Sequence, residues 1–228
     1  MKKAYFCIDG FSFKRINDYY RYEHKRRSRL NLAVFESYLR YEIARKLDFP
    51  SDCENLIFEK HFYHPSRSPR KRLYQNDTKE SILKFEENLA RANYSVHYSQ
   101  KAPIFGAMPN EKLLADTMLA VQLRKIDIFI LLSTQGQHAN ALRQMKNCQI
   151  PTILLGWNAS CKNSSGEDRL WKTDRILYES ASAYCPLEKM LDLPKGKDPF
   201  TDIMFEKFFN FCCQPEFSPK YPLNLRCG

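Results

Sequence analysis

The sequence predicts an α/β fold in which helices cover both faces of a mainly parallel central sheet. Short apolar runs alternate with stretches of helical periodicity along most of the chain, and this order favours parallel strands joined by crossover helices. The run Asp127–Ser133 (DIFILLS) is almost continuously apolar, as in a strand buried on both faces. Hydrophobic residues make up 43% of the 228 residues and aromatic residues 14%, which is sufficient for a substantial buried core.

Each strand is predicted from a short apolar run bounded by polar or turn-forming residues. The predicted strands cover residues 4–8, 56–63, 95–99, 127–133, 151–156 and 183–186. Each helix is predicted from apolar residues spaced three and four apart. The predicted helices cover residues 31–47, 78–92, 111–124, 138–147 and 169–180. Pro50 follows the first helix, and Asp77 or Thr78 is the expected N-cap of the second.

The composition changes after residue 193, so residues 1–193 are predicted to form one domain and residues 194–228 a C-terminal extension. Five prolines fall in this extension, which favours irregular structure. Within it, Phe200–Phe211 has the apolar spacing of a helix that docks on the domain. This phenylalanine-rich segment is also the candidate surface for a homo-oligomer or a protein partner.

The charge and the cysteine pattern restrict the class of protein. The formal charge is +10, from 36 Lys and Arg against 26 Asp and Glu. No apolar run approaches the ~20 residues that span a bilayer, and the N-terminus lacks the apolar core of a signal peptide. We therefore expect a cytoplasmic protein with no membrane partner. The eight cysteines contain no C-x2-C pair, which favours free thiols over a zinc ribbon or a disulfide framework.

A ligand site is expected at the carboxyl ends of the strands, where the strand order of an open parallel sheet reverses. Three places in the sequence meet this condition: Asp9 at the end of the first strand, residues 133–137 after the long buried strand, and the helix start at residues 111–116. A carboxylate buried at such a place needs a cation, a metal ion or hydrogen-bond donors beside it.

Three segments resemble the signature blocks of NYN domains, a family of PIN-like, metal-dependent ribonucleases. These segments are Ile8–Phe13 (IDGFSF), Glu111–Asp116 (EKLLAD) and Asp127–Ser133, and the resemblance extends over about residues 4–190. It implies a three-layer α/β/α sandwich. It also implies an acidic cluster that holds Mg²⁺ or Mn²⁺ for RNA hydrolysis, with Asp9 and Asp116 as catalytic and metal-binding residues.

The sequence departs from the family pattern at several positions. Ser12 replaces the usual Asn, Gln122 stands where a second helix Asp is expected, and Gln135 and Gln137 replace the acids that follow the buried strand. An amide can orient water, but it cannot neutralise a metal ion or act as a general base. Ser133 and His138 are further candidates for lining the site. Two alternatives remain open: the acidic site is degenerate, or it is rebuilt with Glu111, Glu167, Asp168 or Asp174.

Basic residues are concentrated in two segments that are predicted to converge on one rim of the sheet. The candidate nucleic-acid-binding residues are Lys14, Arg15, Lys25, Arg26, Arg27 and Arg29 in the first segment, and Arg67, Arg70, Lys71 and Arg72 in the second. Tyrosines interleave the first segment and are suited to stacking on unpaired bases. A basic rim of this kind favours a nucleic-acid partner, and the resemblance selects RNA.

The sequence supports three functional hypotheses. The first is an RNA-binding, metal-dependent ribonuclease with a reduced acidic site. The second is a catalytically inactive pseudonuclease that serves as an RNA-binding or protein-interaction module, and the amide substitutions favour it. The third is an enzyme that acts on a small molecule in the same crevice, and the lack of a glycine-rich phosphate-binding loop counts against it.

Overall fold

The computed structural model describes residues 2–24, 27–46, 56–64, 79–98, 111–123, 125–162, 168–192 and 209–210. In chain order the strands are β1 (Lys3–Asp9), β2 (Arg29–Leu30), β3 (Ile57–His64), β4 (Tyr94–Tyr98), β5 (Ile128–Leu132), β6 (Thr152–Gly156), β7 (Ala159–Lys162), β8 (Asp168–Trp171), β9 (Ala183–Pro186) and β10 (Phe209–Asn210). The helices are α1 (Gly10–Asp18), α2 (Phe35–Lys46), α3 (Lys79–Arg91), α4 (Glu111–Gln122), α5 (Ala139–Asn147), α6 (Arg175–Ser180) and α7 (Leu187–Leu191).

Six strands form one sheet in the order β4-β3-β1-β5-β6-β9, and each neighbouring pair is parallel. The chain starts in the middle, builds outward to β4, then returns to β5 and builds outward on the other side. The strand order therefore reverses between β1 and β5, which is where ligands bind in open α/β sheets. This junction is called the switch point below. The predicted α/β fold with a mainly parallel sheet is confirmed.

Two hydrophobic clusters, one on each face of the sheet, give the fold three layers. On one face, α1, α2, α3 and α7 pack on alternate residues of β1 such as Phe6 and Ile8. On the other face, α4, α5 and α6 pack on Tyr5 and Cys7 of the same strand. All five residues of β5 and all five of β6 are buried, since helices cover both sides of these central strands.

The structure contains a helix that the sequence analysis did not predict. Helix α1 begins directly after β1, and the Asp9 side chain caps it by accepting a hydrogen bond from the backbone N of Phe11. A π-helical turn (Tyr19–Glu23) continues α1. The helix predicted over residues 31–47 is a short 3-10 turn (Leu32–Val34) followed by α2. The basic segment after Asp9 is thus largely helical.

The helix predicted over residues 169–180 is wrong in its first half. Asp168–Trp171 forms β8, which pairs antiparallel with β7 in a hairpin. Helix α6 starts only at Arg175, because the Asp174 carboxylate accepts a hydrogen bond from the backbone N of Ile176 and so caps the helix there.

The C-terminal extension contacts the domain through a short strand. Phe209 and Asn210 form β10 and pair antiparallel with β2, so the helix predicted over Phe200–Phe211 is wrong at these two residues. Residues 200–208 and 211 lie outside the described residues, as do the candidate N-caps Asp77 and Thr78. Within the described part of the chain, no helix has the length and apolar character of a membrane span.

Gly10 occupies a position where β3 passes close to the start of α1. A Cβ atom at residue 10 would lie 2.7 Å from the backbone O of Tyr63 and 2.9 Å from Cε1 of Phe62. Both are closer than ordinary van der Waals contact, and the backbone oxygen belongs to a paired strand that cannot move aside.

We therefore expect Gly10→Ala to lower the free energy of unfolding by about 1–3 kcal/mol, the range for overpacked cores. Ser37→Ala, at an exposed position of α2, is the control and should leave stability unchanged. Urea unfolding followed by circular dichroism measures both. Equal stability of Gly10→Ala and the wild type would contradict the close packing of α1 on β3.

Candidate functional site

The Asp9 carboxylate lies at the switch point and is only 4% exposed. Its Oδ2 accepts hydrogen bonds from Ser12 Oγ at 2.6 Å and from Ser133 Oγ at 3.0 Å. Its Oδ1 accepts from the backbone N of Phe11 at 3.2 Å. The carboxylate therefore joins the end of β1, the first turn of α1 and the residue that follows β5.

The serine hydroxyls extend this network into the loop after β5. Ser12 Oγ accepts a hydrogen bond from the backbone N of Thr134 at 2.9 Å, and Ser133 Oγ accepts from the backbone N of Gln135 at 3.1 Å. Each hydroxyl thus donates to Asp9 and accepts from the loop backbone. Because Ser12 and Ser133 are both fully buried, these bonds are shielded from water.

His138 lies beside Asp9 at the switch point. Its Nε2 lies 3.7 Å from Asp9 Oδ2, and both side chains are about 95% buried. Burial alone would raise the pKa of Asp9, but His138 and the two serine hydroxyls stabilise the ionised form more strongly. The pKa of Asp9 consequently lies below its ordinary value of 3.8, and the carboxylate is ionised at neutral pH.

The residues at the switch point do not fit a divalent metal ion. A carboxylate offers about four lone-pair positions, and three of those on Asp9 already accept hydrogen bonds. Two buried nitrogens, Gln135 Nε2 and His138 Nε2, have no hydrogen-bond partner among the described residues. Within the same part of the chain, no group of three His, Cys, Asp or Glu side chains is arranged to hold a metal ion. The Gln135 amide nitrogen can only donate and does not ligate a metal ion, and His138 Nε2 faces Asp9 Oδ2 at 3.7 Å.

Asp116 belongs to a second polar cluster beside β3 and β4. Its Oδ2 accepts a hydrogen bond from Tyr63 Oη at 3.3 Å and lies 3.4 Å from His97 Nδ1. His97 Nε2 is 2.8 Å from His61 Nδ1, and His61 Nε2 is 3.2 Å from Glu59 Oε1. The two imidazoles thus connect the two carboxylates through a chain of polar contacts.

Burial controls the protonation of this second cluster. It lowers the pKa of both His61 and His97, although Glu59 and Asp116 act in the opposite direction. It also raises the pKa of Tyr63, which therefore remains a hydrogen-bond donor to Asp116. The Tyr63 ring stacks on the His97 ring at 4.6 Å between centroids. Among the described residues, the hydrogen bonds and ion pairs of Asp116 and of Asp9 involve different side chains.

The amide residues occupy different ends of the fold. Gln135 and Gln137 lie in the loop after β5, and the Gln137 side chain donates to Gln135 Oε1. Gln122 is the exposed last residue of α4. Helix α4 ends close to the start of β5, at the edge opposite the switch point, so Gln122 does not reach Asp9. Asp127 lies at the same opposite edge, where its carboxylate accepts a hydrogen bond from the backbone N of Lys3.

Of the two replacement acids whose side chains the structure describes, Asp174 lies beside the switch-point loop. Its backbone N donates to the Thr134 carbonyl at 3.0 Å, and its carboxylate fills the space where Gly136 lacks a side chain. Asp168 is exposed on the hairpin. Glu111 is the first residue of α4, with its side chain outside the description, and Glu167 lies outside the described residues altogether.

The described basic residues line the flank of α1. Arg15 places its guanidinium over the rings of Phe11 and Trp171, at 4.5 and 4.4 Å from their centroids. Lys14 Nζ pairs with Asp18 at 2.6 Å, and Arg27 donates to the Tyr22 carbonyl. The candidates Lys25, Arg26, Arg67, Arg70, Lys71 and Arg72 lie outside the described residues.

A pocket of about 280 Å³ lies between α1, α3, the carboxyl end of β3 and residues 29–33. Lys14 and Arg29 line it, as do Arg21, Arg91 and Phe85, which the sequence analysis did not select as site residues. The sequence analysis did not predict α1. It therefore could not place the basic residues of α1 beside those of α3.

Comparisons with known proteins identify no family for the chain. No protein-family model matches it, and no curated protein matches it. Among solved structures, the crystal structure of a protein of unknown function from Vibrio parahaemolyticus aligns with a TM-score of 0.49 and 12% sequence identity. The alignment covers 82% of this chain and 93% of that chain.

The lowered pKa of Asp9 makes the stability of the fold depend on pH. The ionised carboxylate stabilises the folded state fully above pH 3.8, and this contribution is lost as the pH falls through the folded-state pKa. We expect Asp9→Asn to be less stable than the wild type at pH 7, with the difference narrowing below pH 3.8. Urea unfolding between pH 3 and pH 7 measures the difference.

Asp168→Asn is the control for this experiment, because it removes one carboxylate from an exposed position. The free energy of unfolding of Asp168→Asn should be close to that of the wild type at pH 7. A loss of stability in Asp9→Asn that stays the same at every pH would show that the Asp9 charge does not stabilise the fold.

Proposed function

We propose that the chain is a PIN-like, NYN-like protein that binds RNA on the basic flank of α1 and does not cleave it with a metal ion. In this proposal the acidic position of a nuclease has become a structural junction between β1, α1 and β5. The observation that carries the proposal is the use of the Asp9 carboxylate by three internal hydrogen-bond donors, beside a flank that carries cations.

The donor set at the switch point supports RNA binding over metal binding. Gln135 and Gln137 follow β5, and neither side chain can balance the charge of a metal ion. Gln135 Nε2, a buried amide donor without a partner among the described residues, cannot bind a metal ion either.

The side chains around α1 support a single-stranded RNA partner. Arg15 lies across two aromatic rings, so its guanidinium is held in place with little freedom left to lose on binding. Tyr19 packs against Trp157, which directly follows β6. The basic flank is therefore anchored near the carboxyl edge of the sheet. Preorganised cations next to aromatic rings are the usual combination for binding an unpaired strand.

The double variant Arg15→Gln, Arg27→Gln tests this flank. It should weaken the binding of a single-stranded RNA and reduce the slope of log K against log salt by about 1.4, because each lost phosphate contact changes the slope by about 0.7. The matched control is Lys125→Gln, Lys146→Gln, which removes the same charge at exposed positions near the opposite edge. Fluorescence anisotropy over a salt series measures both.

An unchanged salt slope in the Arg15, Arg27 variant would show that this flank does not contact the RNA. An equal effect of both double variants would mean that net charge alone attracts the RNA. Absence of RNA binding by the wild type at low salt would overturn the proposed function itself.

A further inference from the structure

The pocket between α1 and α3 has the size and lining of a binding site for a small charged molecule. Its volume of about 280 Å³ is close to the lower limit of ~300 Å³ for small-molecule sites. Four cationic side chains and two acidic side chains line it: Lys14, Arg21, Arg29, Arg91, Asp18 and Glu86. The pocket therefore has an excess of positive charge.

Arg29 is the residue that most directly indicates an anionic ligand. Arg29 lines the pocket together with Lys14, Arg21 and Arg91. Its backbone pairs with Asn210 through the β2–β10 ladder, so the arginine is attached to a fixed strand. A phosphate group is a matching acceptor, since guanidinium binds phosphate through paired, charge-assisted hydrogen bonds.

The lining of the pocket also includes aromatic side chains. Phe13, Phe62 and Phe85 form a packed group, with centroid distances of 5.9 Å between Phe13 and Phe62 and 5.3 Å between Phe62 and Phe85. Phe85 is only partly buried, whereas Phe13 and Phe62 are each 2% exposed. The Phe85 ring therefore supplies the apolar surface that a planar ligand can stack against.

Uncharged polar side chains and Glu86 in the lining suit a ligand that is not a simple hydrocarbon. Asn17, Asn31 and Asn88 line the pocket together with Glu86. Asn17 Oδ1 accepts from the backbone N of Leu30 at 3.0 Å, so the side-chain amide is held in one orientation. Amide and carboxylate groups at the wall of a pocket read the donor and acceptor edges of a ring such as a nucleobase.

We propose that this pocket binds one nucleoside monophosphate unit, with the phosphate on Arg29 and the base against Phe85. The unit has two sources, a free mononucleotide or the phosphorylated end of an RNA strand, and both present the same chemistry. The inference rests on the pocket and not on Arg15 or Arg27, neither of which lines it. It therefore holds whether or not the flank binds longer RNA.

Isothermal titration with the four nucleoside 5′-monophosphates tests the pocket. The wild type should bind at least one of them more tightly than it binds ribose 5-phosphate or inorganic phosphate, because the base adds contacts to Phe85. Arg29→Gln should weaken that binding about tenfold or more, the effect of losing a charge-assisted hydrogen bond. The matched control Arg175→Gln, at an exposed position of α6, should bind as the wild type does.

The variant Phe85→Leu distinguishes the contribution of the base to binding from that of the phosphate. This variant should bind the mononucleotide more weakly than the wild type does and should bind ribose 5-phosphate with unchanged affinity. A thermal melt establishes that the variant is folded.

Competition with short RNAs that carry or lack a terminal phosphate then identifies the source of the unit. Displacement by phosphorylated RNA alone indicates the RNA end, and displacement by neither RNA indicates a free nucleotide.

Three results would overturn the inference. The first is the absence of mononucleotide binding by the wild type at millimolar concentration. The second is equal binding by Arg29→Gln and the wild type. The third is equal affinity for mononucleotide and inorganic phosphate, which would mean that only a general anion site is present. The RNA salt dependence of the Arg15, Arg27 variant is independent of all three, so the two proposals fail separately.

Discussion

The ionised carboxylate of Asp9, buried where β1 ends, is the constraint on which the switch point depends. A charge in this position must be surrounded by donors, and the chain supplies them from α1 and from the residue after β5. The same bonds fix the start of α1 against the exit of β5, while Gly10 allows β3 to pass close by. One side chain thus links both halves of the doubly wound sheet.

This structural use of Asp9 determines what the site can do. Once three lone-pair positions accept internal hydrogen bonds, little of the carboxylate is left for a ligand, and the nearby unsatisfied atoms are nitrogens. In the proposed function, RNA binds instead beside α1, where Arg15 is stacked on aromatic rings and Arg29 lines a pocket. Under this proposal, the acidic position of a nuclease-like fold serves as a structural junction while the basic side chains contact RNA.

The strands of the sheet could be predicted from the sequence because buried parallel strands such as β5 are almost uniformly apolar. The same reasoning placed Asp9, Ser12, Ser133 and His138 at one edge, since strand ends meet there. Helix α1 was missed because its basic and aromatic residues suggest a surface segment, although Phe13, Ile16 and Tyr20 have helical spacing. The β7–β8 hairpin was missed because its pairing is non-local. The pocket depends on α1 and α3 together, so no short sequence pattern reveals it.

The most direct test of the central claim is to incubate single-stranded RNA with the wild type in Mg²⁺, in Mn²⁺ and in EDTA, beside Asp9→Asn. If the Asp9 carboxylate serves the fold and not a metal ion, the RNA remains intact under all three conditions and binds equally well in EDTA. Cleavage that requires Mg²⁺ or Mn²⁺ and disappears in a folded Asp9→Asn protein would contradict the claim.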